Sequence, residues 1–275
     1  MGRPTAADQG VGPQVTTARD NIRFVGANIQ WLGAGEPILF LPGWNTTAAT
    51  VRAWLPSDFL ACNRCGILDW PGLGTAADVP LPSSLEAFLD ELEQALPMRP
   101  VAVVGFCLGG VAAWAFTQRY PRSVRCSFLV ESLLHFPLVL TPLLVPGLGR
   151  AMLTMAQRTR LGRHLVQQAI LKPRTEYNQV FLEGLFGFDV HVALKYLALF
   201  ERYGNNLNAF DNPNVSDRPC WQLSGEQAVK ILKPSWGTRH RVQSTSVILQ
   251  GAGHFPAVET PKVFFDRLHN LVRTV

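Results

Sequence analysis

The run Val101-Ala-Val-Val-Gly105-Phe-Cys107-Leu-Gly109-Gly110 constrains this chain more than any other. Its apolar, β-branched opening reads as a buried strand, and it ends in Gly-x-Cys-x-Gly. It passes directly into residues 111–120, which read as a helix stopped by Pro121. Strand, sharp turn and helix therefore follow one another without a linker. Gly105 and Gly109 flank the turn, where absent Cβ atoms let backbones approach closely and a strained conformation persist. The side chain at position 107 then stands at a helix N-terminus, where backbone N–H groups and the helix dipole favour an anion. Such a place favours a thiolate and supplies part of an oxyanion hole. The bland alternative is a structural cysteine buried beside a turn. The rest of the chain argues against it.

Composition sets the frame. The chain has 275 residues, 47% hydrophobic and 16% charged, which suits one large α/β domain, with or without an insertion, and excludes global disorder. The formal charge is +5, with basic residues enriched between Arg150 and Arg174. No basic block interleaved with aromatics points to nucleic acid. The positive balance is weakly favourable to anionic substrates such as coenzyme A or carrier-protein thioesters.

The five cysteines are Cys62, Cys65, Cys107, Cys126 and Cys220. An odd count without a secretory signal implies free thiols and a reducing, cytoplasmic setting. Cys62-Asn-Arg-Cys65 has no second CxxC or His pair to complete a zinc site, and it precedes a strand, so it reads as incidental thiols. No cofactor or metal is expected. Residues 1–20 are polar, lack the apolar core of a signal peptide and read as a flexible leader. No stretch has the uninterrupted apolar length of a transmembrane helix. Residues 136–148 are apolar, but short and broken by Pro137, Pro142 and Pro146.

Strand-like runs at 22–25, 29–32, 37–41, 66–69 and 127–130 alternate with helical patterns, including an amphipathic one at 85–96 capped by Ser83 or Ser84. Further strands are read at 219–223 and 246–250, and a last helix at 260–272 with Pro261 in its first turn. The alternation predicts an α/β fold, a mostly parallel sheet flanked by helices. Between Glu131 and Pro219 it fails. That stretch is apolar and helical and reads as a cap inserted into the sheet. The expected division is a first core part at 21–134, a helical cap at 135–215 and a second core part at 216–275.

Four features recur after strands: Leu41-Pro-Gly-Trp44, Asp69-Trp-Pro-Gly-Leu-Gly-Thr75, the Gly105–Gly110 turn, and Gly251-Ala-Gly-His254-Phe-Pro-Ala-Val-Glu-Thr-Pro261. In this order they resemble the α/β-hydrolase superfamily, in particular its capped members, over residues 22–275. The 105–109 turn resembles that family's nucleophile elbow with cysteine in the serine position.

The resemblance implies roles. Cys107 is the expected nucleophile and His254 the residue that takes its proton and later returns one to the leaving group. The oxyanion donors are the backbone N–H groups of Trp44 and Leu108. The family often carries its acid as Gly-Glu-x-Asp after the penultimate strand, but here that position holds Ala228. Two carboxylates remain: Glu131, after the strand that follows the elbow, where haloalkane-dehalogenase-like members carry theirs, and Glu226, on the same loop as Ala228. Glu131 is placed first. Asp69 matches a structural loop position, and Glu259 is expected to cap the last helix.

The box also resembles those of dienelactone hydrolases and polyhydroxyalkanoate synthases. A cysteine nucleophile makes an acyl thioester, which exchanges readily. The expected function is hydrolysis of an ester or thioester with an apolar acyl group, free or linked to coenzyme A or a carrier protein. Two alternatives stay open: an acyltransferase, condensing or cyclising enzyme using the same acyl-cysteine, and a non-hydrolytic ligand-binding homologue. Phe136, Phe181, Phe186, Phe188 and Phe200 of the cap can line a pocket or merely pack.

Overall fold

Strands that are apolar at successive positions require a sheet covered on both faces, and the computed structural model has one. It describes residues 21–23, 28–132, 136–171, 177, 179–205, 218–228 and 244–275. The strands are Asn21–Arg23 (β1), Asn28–Leu32 (β2), Glu36–Leu41 (β3), Asn63–Asp69 (β4), Val101–Phe106 (β5), Val124–Val130 (β6), Cys220–Gly225 (β7) and Thr245–Leu249 (β8). Their order is β1-β2-β4-β3-β5-β6-β7-β8. β1 and β2 pair antiparallel with each other, and β2 with β4; the ladders from β4 through β8 are parallel.

The helices are Ala48–Arg52 (α1), Ser57–Cys62 (α2), Leu85–Ala95 (α3), Leu108–Arg119 (α4), Leu148–Arg158 (α5), Arg160–Ile170 (α6), Gln179–Phe186 (α7), Val190–Asn205 (α8), Pro256–Glu259 (α9) and Pro261–Arg273 (α10). The period-2 geometry of a strand sends its side chains to opposite faces. Leu39, Leu41, Val101 and Val103 therefore join the core under α3, α4 and α8. Ile38, Phe40, Ala102 and Val104 join the core under α1, α2 and α10. Both faces being covered explains why β3 and β5 are continuous apolar runs. Ser84 caps α3, its side chain accepting from the Ala87 N–H at 3.1 Å.

The helical insertion lies between β6 and β7: a 3-10 segment at Leu138–Leu144, then α5 to α8. α8 seats it on the core, where Trp70 packs tilted against Tyr196 and edge-on against Phe200.

Two elements differ from the expectation. α2 has no strong apolar period and was not anticipated. β4 begins at Asn63, so Cys62 ends a helix and Cys65 lies inside the strand. Asn63, buried, donates from Nδ2 to the Phe59 carbonyl at 2.8 Å and ties the two elements together. Burial pushes the Cys65 thiol up to about 12, which suits a packing role. The expected leader at 1–20 lies outside the described residues.

Candidate active site

Cys107 is the single residue between β5 and α4, with φ 51° and ψ −116°. Its neighbours explain the glycines. A Cβ on Gly105 would lie 2.4 Å from the Gly109 carbonyl oxygen, and one on Gly109 only 2.2 Å from that of Leu41. The Cys107 N–H donates to the Val130 carbonyl at 2.9 Å, and the Gly110 N–H donates to the Cys107 carbonyl at 3.1 Å. The turn is therefore bonded to β6 and lies close against the end of β3.

Positive φ at non-glycine residues is confined, among the described residues, to Asn45, Cys107 and Glu131, at 58°, 51° and 46°. They follow the C-terminal ends of β3, β5 and β6, three strands adjacent in the sheet. Such conformations cost about 1–3 kcal/mol each and persist only where the surroundings impose them. Here they surround one point, at the carboxyl ends of the parallel strands.

His254 follows β8 and is buried. Its Nδ1 lies 3.4 Å from Glu131 Oε2, and the ring lines the same cavity as the Cys107 side chain. Burial opposes the charged imidazolium; the interactions with Cys107 and Glu131 outweigh it and hold the ring well above the usual imidazole range. Glu131 is itself fastened at both ends. Its N–H donates to the Leu223 carbonyl at 2.9 Å, and its Oε1 accepts from the Gly225 N–H at 2.6 Å. Glu226 is exposed, and its Oε2 accepts from the Gly251 N–H at 3.1 Å, away from the His254 ring.

Trp44 and Asn45 occupy the middle of a turn closed by the Thr46 N–H donating to the Gly43 carbonyl at 3.0 Å. A Cβ on Gly43 would lie 3.4 Å from Cβ of Cys107, so the turn abuts the elbow. Among the described residues the N–H groups of Trp44 and Leu108 have no hydrogen-bond partner. The Trp44 indole instead donates to the Ala193 carbonyl of α8 at 3.0 Å.

Cys107 and His254 open into a cavity of about 450 Å³. Its wall is apolar, including Trp54, Phe106, Leu143, Met152 and Phe181. Of the five cap phenylalanines, Phe181, Phe186 and Phe188 line it, while Phe136 and Phe200 pack into the core. Among the described residues no group of three His, Cys, Asp or Glu side chains converges as a metal site would.

A family model described as "Alpha/beta hydrolase family" matches residues 38–267. The chain belongs to the alpha/beta hydrolase family. No curated protein sequence matches it. Among solved structures, the hydrolase-family fold is similar to the haloalkane dehalogenase DatA from Agrobacterium tumefaciens, at 20% identity, TM-score 0.69, covering 94% of this chain and 97% of that one. It is also similar to a mutant of the N-acyl homoserine lactonase AidH complexed with N-hexanoyl homoserine, at 18% identity, TM-score 0.68, covering 94% and 97%. A third is a putative lipase from Acinetobacter baumannii, at 16% identity, TM-score 0.63, covering 94% and 91%.

Within this hydrolase-family frame Glu259 departs from the expectation. Helix α10 has Thr260 as its N-cap residue, with no side-chain cap bond. The Glu259 carboxylate turns back instead. Oε2 accepts from the Gly253 N–H, beside His254, and Oε1 accepts from the Tyr177 hydroxyl at 2.7 Å. Glu259 thus joins the histidine loop to the cap. This link has no local sequence signal, because it depends on segments that meet only in three dimensions. Asp69 is buried; its Oδ1 accepts from the Ala48 N–H at 2.6 Å and its Oδ2 from the Thr75 N–H and hydroxyl at 2.9 and 2.7 Å.

Proposed function

We propose that this protein hydrolyses an ester or thioester with an apolar acyl group through an acyl-Cys107 intermediate. One observation carries the reading: a thiol and a buried imidazole open on one apolar cavity of roughly 450 Å³, and a buried carboxylate lies on Nδ1 of that imidazole. That volume is within the range of small-molecule sites, and its wall suits a hydrocarbon chain.

In the proposed reaction the Cys107 sulfur bonds to the acyl carbon while its proton resides on His254. The carbonyl π pair moves onto oxygen, which faces the N–H groups of Trp44 and Leu108. When the carbonyl re-forms, the bond to the alcohol or thiol breaks and His254 returns the proton to it. Water then attacks the acyl-cysteine, giving its proton to His254. The C–S bond breaks, the acid leaves and the thiol is restored. Glu131, accepting from Nδ1, orients the ring and stabilises its charged form. The N-hexanoyl group in the lactonase complex is an apolar acyl of the kind proposed.

Acyl transfer is the second reading. It is favoured by the apolar wall around Cys107, which would shield a thioester from water until a better acceptor arrives. Ala228, buried where the family often has Asp, is the feature that favours a non-hydrolytic binding homologue instead.

The deciding experiment is intact mass spectrometry after incubation with activated acyl esters and thioesters, with Cys107→Ala as control. A cysteine-dependent acyl adduct that decays in water supports hydrolysis. An adduct that persists until an amine, alcohol or thiol is added supports transfer. No adduct on any donor, with Cys107 alkylated no faster than Cys62, overturns covalent catalysis.

A further inference from the structure

The cap carries a surface that the described residues leave uncovered. Leu148, Met152 and Met155 recur along α5 at helical spacing, and Leu161 and Leu165 along α6; all five are exposed. Leu138, just before them, is 87% exposed and Leu161 64%. A helix on a water-facing domain ordinarily turns its apolar stripe inward. These stripes face out. They are continuous with the active-site cavity, because Val139, Met152, Met155 and Leu165 are exposed and also line its wall.

The segment that carries these stripes is charged with one sign only. Between Ser132 and Thr175 the sequence contains no Asp or Glu, but does contain Arg150, Arg158, Arg160, Arg163, Lys172 and Arg174. The four arginines on α5 and α6 are exposed, and among the described residues none of them is paired with a carboxylate. Arg163 lies over the Phe186 ring, 5.7 Å from its centroid. Exposed apolar stripes rimmed by cations match the depth profile of an anionic bilayer, with acyl chains beneath phosphates. Among the described residues no single helix is long and apolar enough to cross a membrane, and Leu138–Leu144 meets Leu148–Arg158 at 104°. That corner fits an element lying in the interface.

We propose that this face of the cap docks on an anionic lipid bilayer, placing the mouth of the cavity at the boundary of the hydrocarbon. The inference concerns the cap surface and stands whether or not Cys107 is the nucleophile. It would give an apolar acyl substrate a path into the cavity that avoids water.

Flotation of the full chain with phosphatidylcholine vesicles, with and without phosphatidylglycerol, tests it. The expected result is binding to the anionic vesicles that weakens as salt rises. Replacing Arg158→Gln and Arg160→Gln together should weaken partition about fivefold per arginine, and Leu161→Asp by more than about tenfold. None of these residues lines the cavity, and unchanged circular-dichroism melts would show the variants folded. Absence of flotation with either vesicle overturns the proposal. So does equal binding to neutral and anionic vesicles. A vesicle-free dimer dispersed by Leu161→Asp, or capture by an acidic acyl carrier protein without flotation, overturns it in favour of a protein partner.

Discussion

Glu131 and His254 stand 123 residues apart in the chain, yet Oε2 of one lies 3.4 Å from Nδ1 of the other, both side chains buried. The contact is long for a charge-assisted bond, as is common before a substrate closes a site. It is nonetheless well founded. The other carboxylate oxygen is fixed by the Gly225 N–H at 2.6 Å, so Glu131 cannot swing away without leaving a buried donor unpaired.

That geometry separates the two candidate acids. Glu131→Gln should lower kcat about 100-fold with little change in KM, the scale of a lost proton-transfer partner. Glu226→Gln, an exposed change, should stay within about twofold. Steady-state kinetics on one activated ester checks both. Equal losses, or a larger loss at Glu226, would move the role to the other loop.

The histidine makes stability depend on pH. In an unfolded chain imidazole titrates near about 6.5. In the fold, burial lowers the His254 value but the interactions with Cys107 and Glu131 outweigh it and raise it. A raised folded value means the folded state holds the proton more tightly. Its contribution is therefore fully present below about pH 6.5 and lost as pH rises through the folded value. Urea midpoints measured from neutral into alkaline pH should fall for the wild type and fall less for His254→Gln. Parallel curves would refute the pairing.

Glu259 offers a test of communication between cap and histidine. Tyr177→Phe removes one hydrogen bond to it and should cost about 0.5–1.5 kcal/mol. Glu259→Ala strands the Gly253 N–H as well, and about 1–3 kcal/mol is expected. Glu259→Ala should reduce kcat more than Tyr177→Phe, because only it frees the backbone beside His254. Denaturation and kinetics on the two variants, side by side, would show the order; the reverse order would mean that the cap contact dominates.

Asp69 predicts a loss of fold that drags activity with it. Its carboxylate accepts from the Ala48 N–H and from both polar groups of Thr75. A Cβ on Gly74 would lie 2.3 Å from Asp69 Oδ1, so the loop is wrapped tightly around it. Asp69→Ala should destabilise by about 2–4 kcal/mol, from two or more unsatisfied buried groups. Melting temperature and kcat should fall together. A variant with full stability and no turnover would instead point to a direct part in catalysis.

Much of the fold was legible before any coordinates. β3 and β5 announce themselves as continuous apolar runs because both sheet faces are covered. Ser84 and Pro261 mark helix starts through local chemistry. The Gly105-Phe-Cys107-Leu-Gly109 turn could be placed between a strand and a helix because its glycines answer to backbone crowding. Short pieces such as α2 and α9 left no readable period. Glu259 misled for a related reason: a carboxylate next to a helix start satisfies a local rule, and only the folded loop gave it a closer partner.

The chain order of residues thus determined what is local: where strands and helices run, which positions demand glycine, and that a thiol stands at a strand-to-helix turn. Tertiary structure decided what is apposed: Glu131 rather than Glu226 beside His254, Glu259 against Gly253 and Tyr177, and apolar residues of α5 and α6 turned to the outside. The division is physical. Propensity, capping and backbone sterics act over a few residues and leave a mark in sequence. A contact between residues 131 and 254 depends on packing of the whole sheet, and no nearby residue records it.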